Sequence, residues 1–132
     1  TLAKGEIVVA FTFPARGSNA SDAYLRLTPR TEMDIAVVGV GVSLELDGDG
    51  TCTAARVGLG AVAVKALLVD EAAQALIGTK VDDAAIAAMA AATSAAAKPI
   101  DDKRGTKEYR IKISGVLAKR AAGIALDRAR QN

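Results

Sequence analysis

An α+β domain, an antiparallel sheet of three to four strands covered on one face by three helices, is the fold this sequence predicts. Residues in the first half alternate apolar and polar side chains at period two, and from Val69 onward the period changes to that of helices. The strand-like segments also all precede the helical ones, and without strand-helix alternation the sheet is antiparallel with its helices gathered on one side. At 132 residues and 51% apolar content the chain can bury one modest core, so residues 1–132 are read as a single domain.

The strands follow in order. In Ile7-Val8-Val9-Ala10-Phe11-Thr12-Phe13, Ile7, Val9, Phe11 and Phe13 share one face at period two, which predicts a first strand ended by Pro14. Residues Ala15 to Asp22 make a polar connection to a short strand-like piece, Tyr24-Leu25-Arg26-Leu27. The segment Asp34 to Ala63 is read as a hairpin, because two alternating runs flank Asp47-Gly48-Asp49-Gly50, which suits the positive φ angles of a tight turn. On its first arm Ala36, Val38, Val40, Val42, Leu44 and Leu46 form a core face. The other face carries Ile35, Val37, Gly39, Gly41, Ser43 and Glu45, where the glycines allow a close backbone approach or mark a twist or bulge.

The helices come next. Asp70-Glu71 opens a short one that runs to Ile77 and stops at Gly78. Asp82 or Asp83 caps a second, alanine-rich helix reaching about Ala97, broken by Lys98-Pro99. After the connector Ile100 to Gly105, Thr106 or Lys107 begins a long final helix ending near Arg130. Its stripe of Tyr109, Ile113, Val116, Leu117, Ala121 and Ile124 is expected to face the sheet or the other helices. Lys119, Arg120, Arg128 and Arg130 suit a helix C-terminus and read as a solvated face.

Composition excludes several functions. The formal charge is +2 with bases and acids interspersed, and aromatic content is 3%, so neither a phosphate-binding field nor a base-stacking platform is present and no nucleic-acid partner is expected. With one cysteine and no histidine the chain offers no internal disulfide, no Cys/His zinc cluster and no serine or cysteine triad. Cys52 reads as an inert strand residue. No run of about 18 apolar residues occurs and the first residues, from Thr1, lack a signal-peptide pattern, so a cytoplasmic protein without membrane insertion is expected. No Met opens the chain, and strand pattern begins within a few residues, so further sequence is expected upstream.

Two apparent motifs dissolve on inspection. Gly58-Leu59-Gly60-Ala61-Val62-Ala63 matches a loose dinucleotide fingerprint, but that fingerprint works where a strand turns directly into a helix of a parallel unit, and here the strand is the return arm of a hairpin. Asp82-Asp83 and Asp101-Asp102 sit where a cap and a connector are expected, not where carboxylates converge on a substrate. No catalytic or metal-binding residue is assigned.

The order of several segments nevertheless resembles one family. Tyr24-Leu25-Arg26, Arg30 and Asp34-Ile35-Ala36-Val37-Val38 are similar to the entry of the C-terminal domain of the FAD-binding (medium) subunit of molybdenum hydroxylases, the group of the xanthine and carbon monoxide dehydrogenases. Arg56 to Ala63, Gly78, Pro99 to Gly105 before Glu108-Tyr109-Arg110, and Val116 to Ala121 continue the resemblance over nearly the whole chain from Gly5. Where the family commonly has a proline-containing turn after Gly60-Ala61-Val62-Ala63, this chain has Val64-Lys65-Ala66-Leu67-Leu68.

The resemblance implies a component of a multisubunit oxidoreductase, non-catalytic by itself, that helps pass electrons from iron-sulfur clusters through FAD to an external acceptor. FAD would be bound mainly by upstream domains. The molybdenum cofactor would belong to a large partner subunit and the iron-sulfur clusters to a small one. It also implies Arg26 and Arg30 as flavin-side residues, where a fixed cation stabilises the negative charge of the reduced ring. Residues alone leave open a second reading, a stand-alone α+β interaction or assembly module using the Gly39/Gly41 face or the basic end of the last helix.

Overall fold

The computed structural model describes residues 2–132; Thr1 lies outside them. Four strands, β1 (Ala20–Leu27), β2 (Val38–Leu46), β3 (Cys52–Gly60) and β4 (Leu67–Leu68), pair antiparallel in the order β1-β2-β3-β4. Three helices follow, α1 (Asp70–Gln74), α2 (Asp83–Ala96) and α3 (Lys107–Ala129). α3 lies across β1 and β2, α2 packs on α3, and α1 sits over β3, so one sheet face is covered by helices and the other is free of them.

The β2–β3 hairpin is built as its sequence predicts. Asp47 Oδ1 accepts from the backbone N–H of Asp49 (3.0 Å) and Thr51 (2.8 Å), and Gly50 takes φ +78°, so the turn satisfies its own backbone. A register shift between Glu45 and Leu46 sets Leu46 opposite Cys52. Val38, Val40, Val42, Leu44 and Leu46 point into the core from β2, and Val57 and Leu59 join them from β3. Each such side chain contributes roughly 1.5–3 kcal/mol by leaving water. Cys52 is buried among them, and desolvation pushes its thiol up from the usual range, as suits an unreactive core residue.

Caps set the helix starts. Asp82 accepts from Ala85 N at 2.9 Å to open α2, and Thr106 accepts from Tyr109 N at 3.2 Å to open α3. α1 is shorter than its pattern predicts: its helix stops at Gln74 and continues as turns to Gly78, whose φ of +80° turns the chain back to pair with Cys52.

The structure corrects further expectations: β1 begins at Ala20, inside the segment read as a connection, and Leu67–Leu68 supplies the fourth strand in place of Ile7 to Phe13. Ile7 to Phe13 forms no strand; the segment is exposed, with Ile7, Val9, Phe11 and Phe13 each at least 79% accessible. Alternation supplies a strand with a face but not with a hydrogen-bonding partner, and no backbone within the described residues pairs with this one. The buried stripe of α3 is also rotated from the expected one. Leu117 and Ala121 of that stripe are buried, but Tyr109 is half-exposed and Ile113, Val116 and Ile124 are only partly covered, whereas Arg110, Ser114, Ala118, Ala122, Ala125 and Ala129 are buried. α3 is pressed between sheet and α2, and small residues win the inward face because they allow close approach: a Cβ on Gly115 would stand 3.0 Å from the Ala90 carbonyl oxygen of α2. The core is consequently one of valine, leucine and alanine, with all four aromatic residues outside it.

Candidate functional site

Chemistry-bearing residues gather at the end of the sheet where β1 finishes, β2 begins and β3 ends. Register puts Arg26 opposite Gly39 and Gly39 opposite Gly60, with Tyr24 opposite Gly41 and Gly41 opposite Gly58. Four glycines thus leave a patch of bare backbone on the helix-free face. The Tyr24 ring leans over it: a Cβ on Gly39 would stand 2.6 Å from the Tyr24 hydroxyl oxygen. The glycines permit a close approach, as their sequence suggests, and what approaches is a side chain of the same sheet. Tyr24 still keeps 65% of its surface accessible.

Arg26 follows two residues along β1 and shares that face by strand alternation. It is exposed, and among the described residues its side chain makes no ion pair or hydrogen bond. Arg30 lies in the loop joining β1 to β2, at the same end of the sheet but engaged differently. Its Nε stands 3.4 Å from Asp34 Oδ2, and its Nη2 donates to the Met33 carbonyl at 3.3 Å. Arg30 is largely exposed, so this pair adds little to stability.

Asp34 is the hinge of a charged network that sequence reading did not assemble. Its side chain is almost fully covered and accepts from Arg104 Nε at 3.1 Å and from its neighbour Ile35 N at 2.8 Å. The Arg104 hydrogen bond holds the Asp34 carboxyl below the usual carboxylate range; burial opposes this and loses. Arg104 belongs to a tight turn in which Asp102 and Gly105 exchange backbone hydrogen bonds of 3.2 Å, and Asp102 Oδ1 accepts from Arg104 N at 2.7 Å.

Arg110, buried in the first turns of α3, closes the network. Its Nη2 lies 2.5 Å from Asp102 Oδ1, and this contact is the main reason the Asp102 carboxyl is also lowered. Its Nη1 donates to the carbonyls of Val37 and Ala61, each at 3.3 Å, while Nε is buried without an acceptor. One guanidinium therefore ties the start of β2, the turn after β3 and the 102–105 turn together. Ala61 is held at φ +66°, a conformation uncommon outside glycine. Signals for Arg104 and Arg110 were present, in Asp-Asp-Lys-Arg-Gly and Glu-Tyr-Arg. The seventy positions between Arg104 and Asp34 gave no reason to pair them.

The ensemble is an electrostatic and positioning surface. The chain has no histidine, its sole thiol is in the core, and no group of three or more Cys, Asp or Glu side chains among the described residues is placed to hold a metal ion. No helix among the described residues is long and apolar enough to cross a membrane.

Comparison with known proteins bears on the family and the fold. Residues 23–125 match the family model of the CO dehydrogenase flavoprotein C-terminal domain. The carbon monoxide dehydrogenase medium chain of Afipia carboxidovorans is 40% identical over 76 residues, 58% of this chain and 26% of that protein. Among solved structures, carbon monoxide dehydrogenase from Hydrogenophaga pseudoflava superposes with a TM-score of 0.83 at 34% identity, covering 87% of this chain and 39% of that one. Quinoline 2-oxidoreductase from Pseudomonas putida 86 gives 0.77 at 26% identity, covering 83% of this chain and 38% of that one. The chain thus spans about two fifths of the solved relatives it matches.

Proposed function

The chain belongs to the CO dehydrogenase flavoprotein C-terminal domain family, and from that premise we propose that it is the C-terminal domain of the FAD-binding subunit of a molybdenum-dependent hydroxylase. In this reading it packs beside flavin-binding domains of the same polypeptide, within an assembly whose other subunits carry the molybdenum cofactor and iron-sulfur clusters. The observation that carries the proposal is the family match over residues 23–125, which takes in the exposed Tyr24 and Arg26, the Arg30–Asp34 loop and the Arg104–Arg110 network at one end of the sheet.

The residues present fit a flat, redox-active ring. The glycine patch is overhung by Tyr24, whose exposed phenol ring offers an aromatic surface, with Arg56 and Leu68 at its border, and Arg26 is a cation with no partner among the described residues. FAD, when bound, supplies two-electron chemistry between an internal donor and an external acceptor. This chain's part is to hold fixed charge near the ring and to exclude water from one side of it. Arg26 stabilises the negative charge left on the ring by reduction, because it brings a guanidinium that no acid among the described residues neutralises. Arg30, tethered by Asp34, adds a second cation whose position depends on Arg104.

Replacing Arg26 in the intact enzyme tests this. Arg26→Ala is expected to lower the flavin midpoint potential by about 30 mV, which for a two-electron couple corresponds to ~1.4 kcal/mol of lost stabilisation of the reduced form, and to change the rate of reoxidation. If potential and reoxidation rate both match the parent enzyme, Arg26 is an ordinary strand residue and the flavin-side assignment fails.

A further inference from the structure

The cleft along the outer edge of β1 shares only Arg26 with the flavin reading. It is a groove of about 610 Å³ between β1 and α3, with apolar walls from Leu25, Leu27, Leu117 and Ile124. Gly123 opens onto it from α3. A glycine inside a helix costs roughly 0.5–1 kcal/mol relative to alanine, so it calls for a reason. At Gly115 the reason is internal, since the α2 backbone passes too close for a Cβ. At Gly123 a Cβ would meet nothing within 4 Å. The fold makes no use of that space, so the reason lies outside it.

The strand bordering the groove is unpaired on that side. Leu27 O accepts from Val37 N and Asn19 O accepts from Leu46 N, so the odd-numbered residues of β1 turn their backbone groups to β2 and the even-numbered ones turn theirs outward. The outward carbonyls of Ala20 and Asp22 are taken by Asn132 Nδ2 (3.2 Å) and Arg128 Nη1 (2.9 Å). Those of Tyr24 and Arg26, beside the groove, have no such partner among the described residues. An unpaired edge next to an apolar cleft is the arrangement by which sheets accept an added strand.

Charge narrows the occupant. Arg26 and Arg120 stand at the rim and make no ion pair among the described residues; Asp127 is the one acid beside them. Lys119, Arg128 and Arg130 make the same half of α3 basic.

We propose that this groove docks an extended, acidic segment of a companion subunit, which adds to β1 at Tyr24 and Arg26, lays an apolar side chain against Gly123 and places a carboxylate on Arg120. The proposal rests on the reading above only in taking the partner to be a fellow subunit; it does not require Arg26 to act on a flavin.

The test uses the complete polypeptide that contains this chain, purified alone and assembled with its companion subunits. Gly123→Leu fills the groove where nothing stands to be displaced, and Arg120→Glu reverses the rim charge. Each is expected to weaken assembly by about tenfold or more in Kd, with flavin content, flavin potential and circular dichroism unchanged. In the parent protein the amides of Tyr24 and Arg26 exchange rapidly when the polypeptide is alone and slow on assembly. Assembly constants within about twofold of the parent for both variants overturn the proposal. Slow exchange at those amides in the isolated polypeptide overturns it too, because its own chain then fills the groove. Protection that grows with the concentration of the isolated polypeptide assigns the edge to a second copy instead. A failed Arg26→Ala potential measurement leaves all these readouts unaffected, so the two readings fail separately.

Discussion

Arg110 offers the sharpest test of how this domain is held together, because a buried guanidinium both stabilises and costs. Arg110→Met keeps the aliphatic stem and removes the charged fork. Three acceptors then lose their partner: the buried carbonyl of Val37, the carbonyl of the exposed residue Ala61, and the Asp102 carboxylate, about a third exposed. Leaving a buried acceptor unpaired costs about 1–3 kcal/mol. The Val37 bond is 3.3 Å long, beyond the usual range, which argues for the lower half of that span there, and the Ala61 and Asp102 partners, open to water, each add less. Against this, the mutation releases Nε, which is buried with no acceptor, and recovers about 1 kcal/mol of desolvation. The loss of partners wins, and a net destabilisation of about 2 kcal/mol is expected. With a urea m-value of roughly 2 kcal/mol/M this lowers the unfolding midpoint by about 1 M. Amides of Val37 and Val38 should lose protection in native-state hydrogen exchange before the rest of β2 does. A midpoint shift under about 0.3 M, with unchanged exchange at those amides, would show that water replaces the guanidinium and that the three-way tie is not structural.

Two further outcomes are expected. Gly39→Ala places a methyl group where the Tyr24 hydroxyl now lies, and because Tyr24 is mostly exposed the ring swings away: stability should change by less than about 1 kcal/mol, while the Tyr24 ring resonances shift markedly; unmoved resonances refute the close contact. The Asp34 and Asp102 carboxyls, both lowered by arginine partners, contribute stability that is present above the ordinary aspartate pKa and lost as pH falls through their lowered folded values. Carboxyl-carbon NMR should therefore show both midpoints below that of free aspartate, with order in the 28–36 loop lost as pH falls through them; midpoints at or above the ordinary value contradict the network.

Local patterns carried the sheet and helices because they depend on neighbours in sequence. The Asp47–Gly50 turn, the period-two face of β2, the caps at Asp82 and Thr106 and the separation of strands from helices are each set within a few residues, and the structure has them where the sequence puts them. What the sequence alone could not decide was partnership across distance. Ile7 to Phe13 has a strand's alternation but finds no strand to pair with, since hydrogen bonds between strands need a second backbone that composition does not supply. Beside Leu117 and Leu126, the inward face of α3 went to small residues and an arginine, because packing between two layers rewards small volume and satisfied polarity as well as hydrophobicity. Arg104 reaches Asp34 and Arg110 reaches Val37 across some seventy positions. Only folding brings those charges within hydrogen-bonding range, so sequence determined most of the elements and tertiary structure decided which charged residues meet.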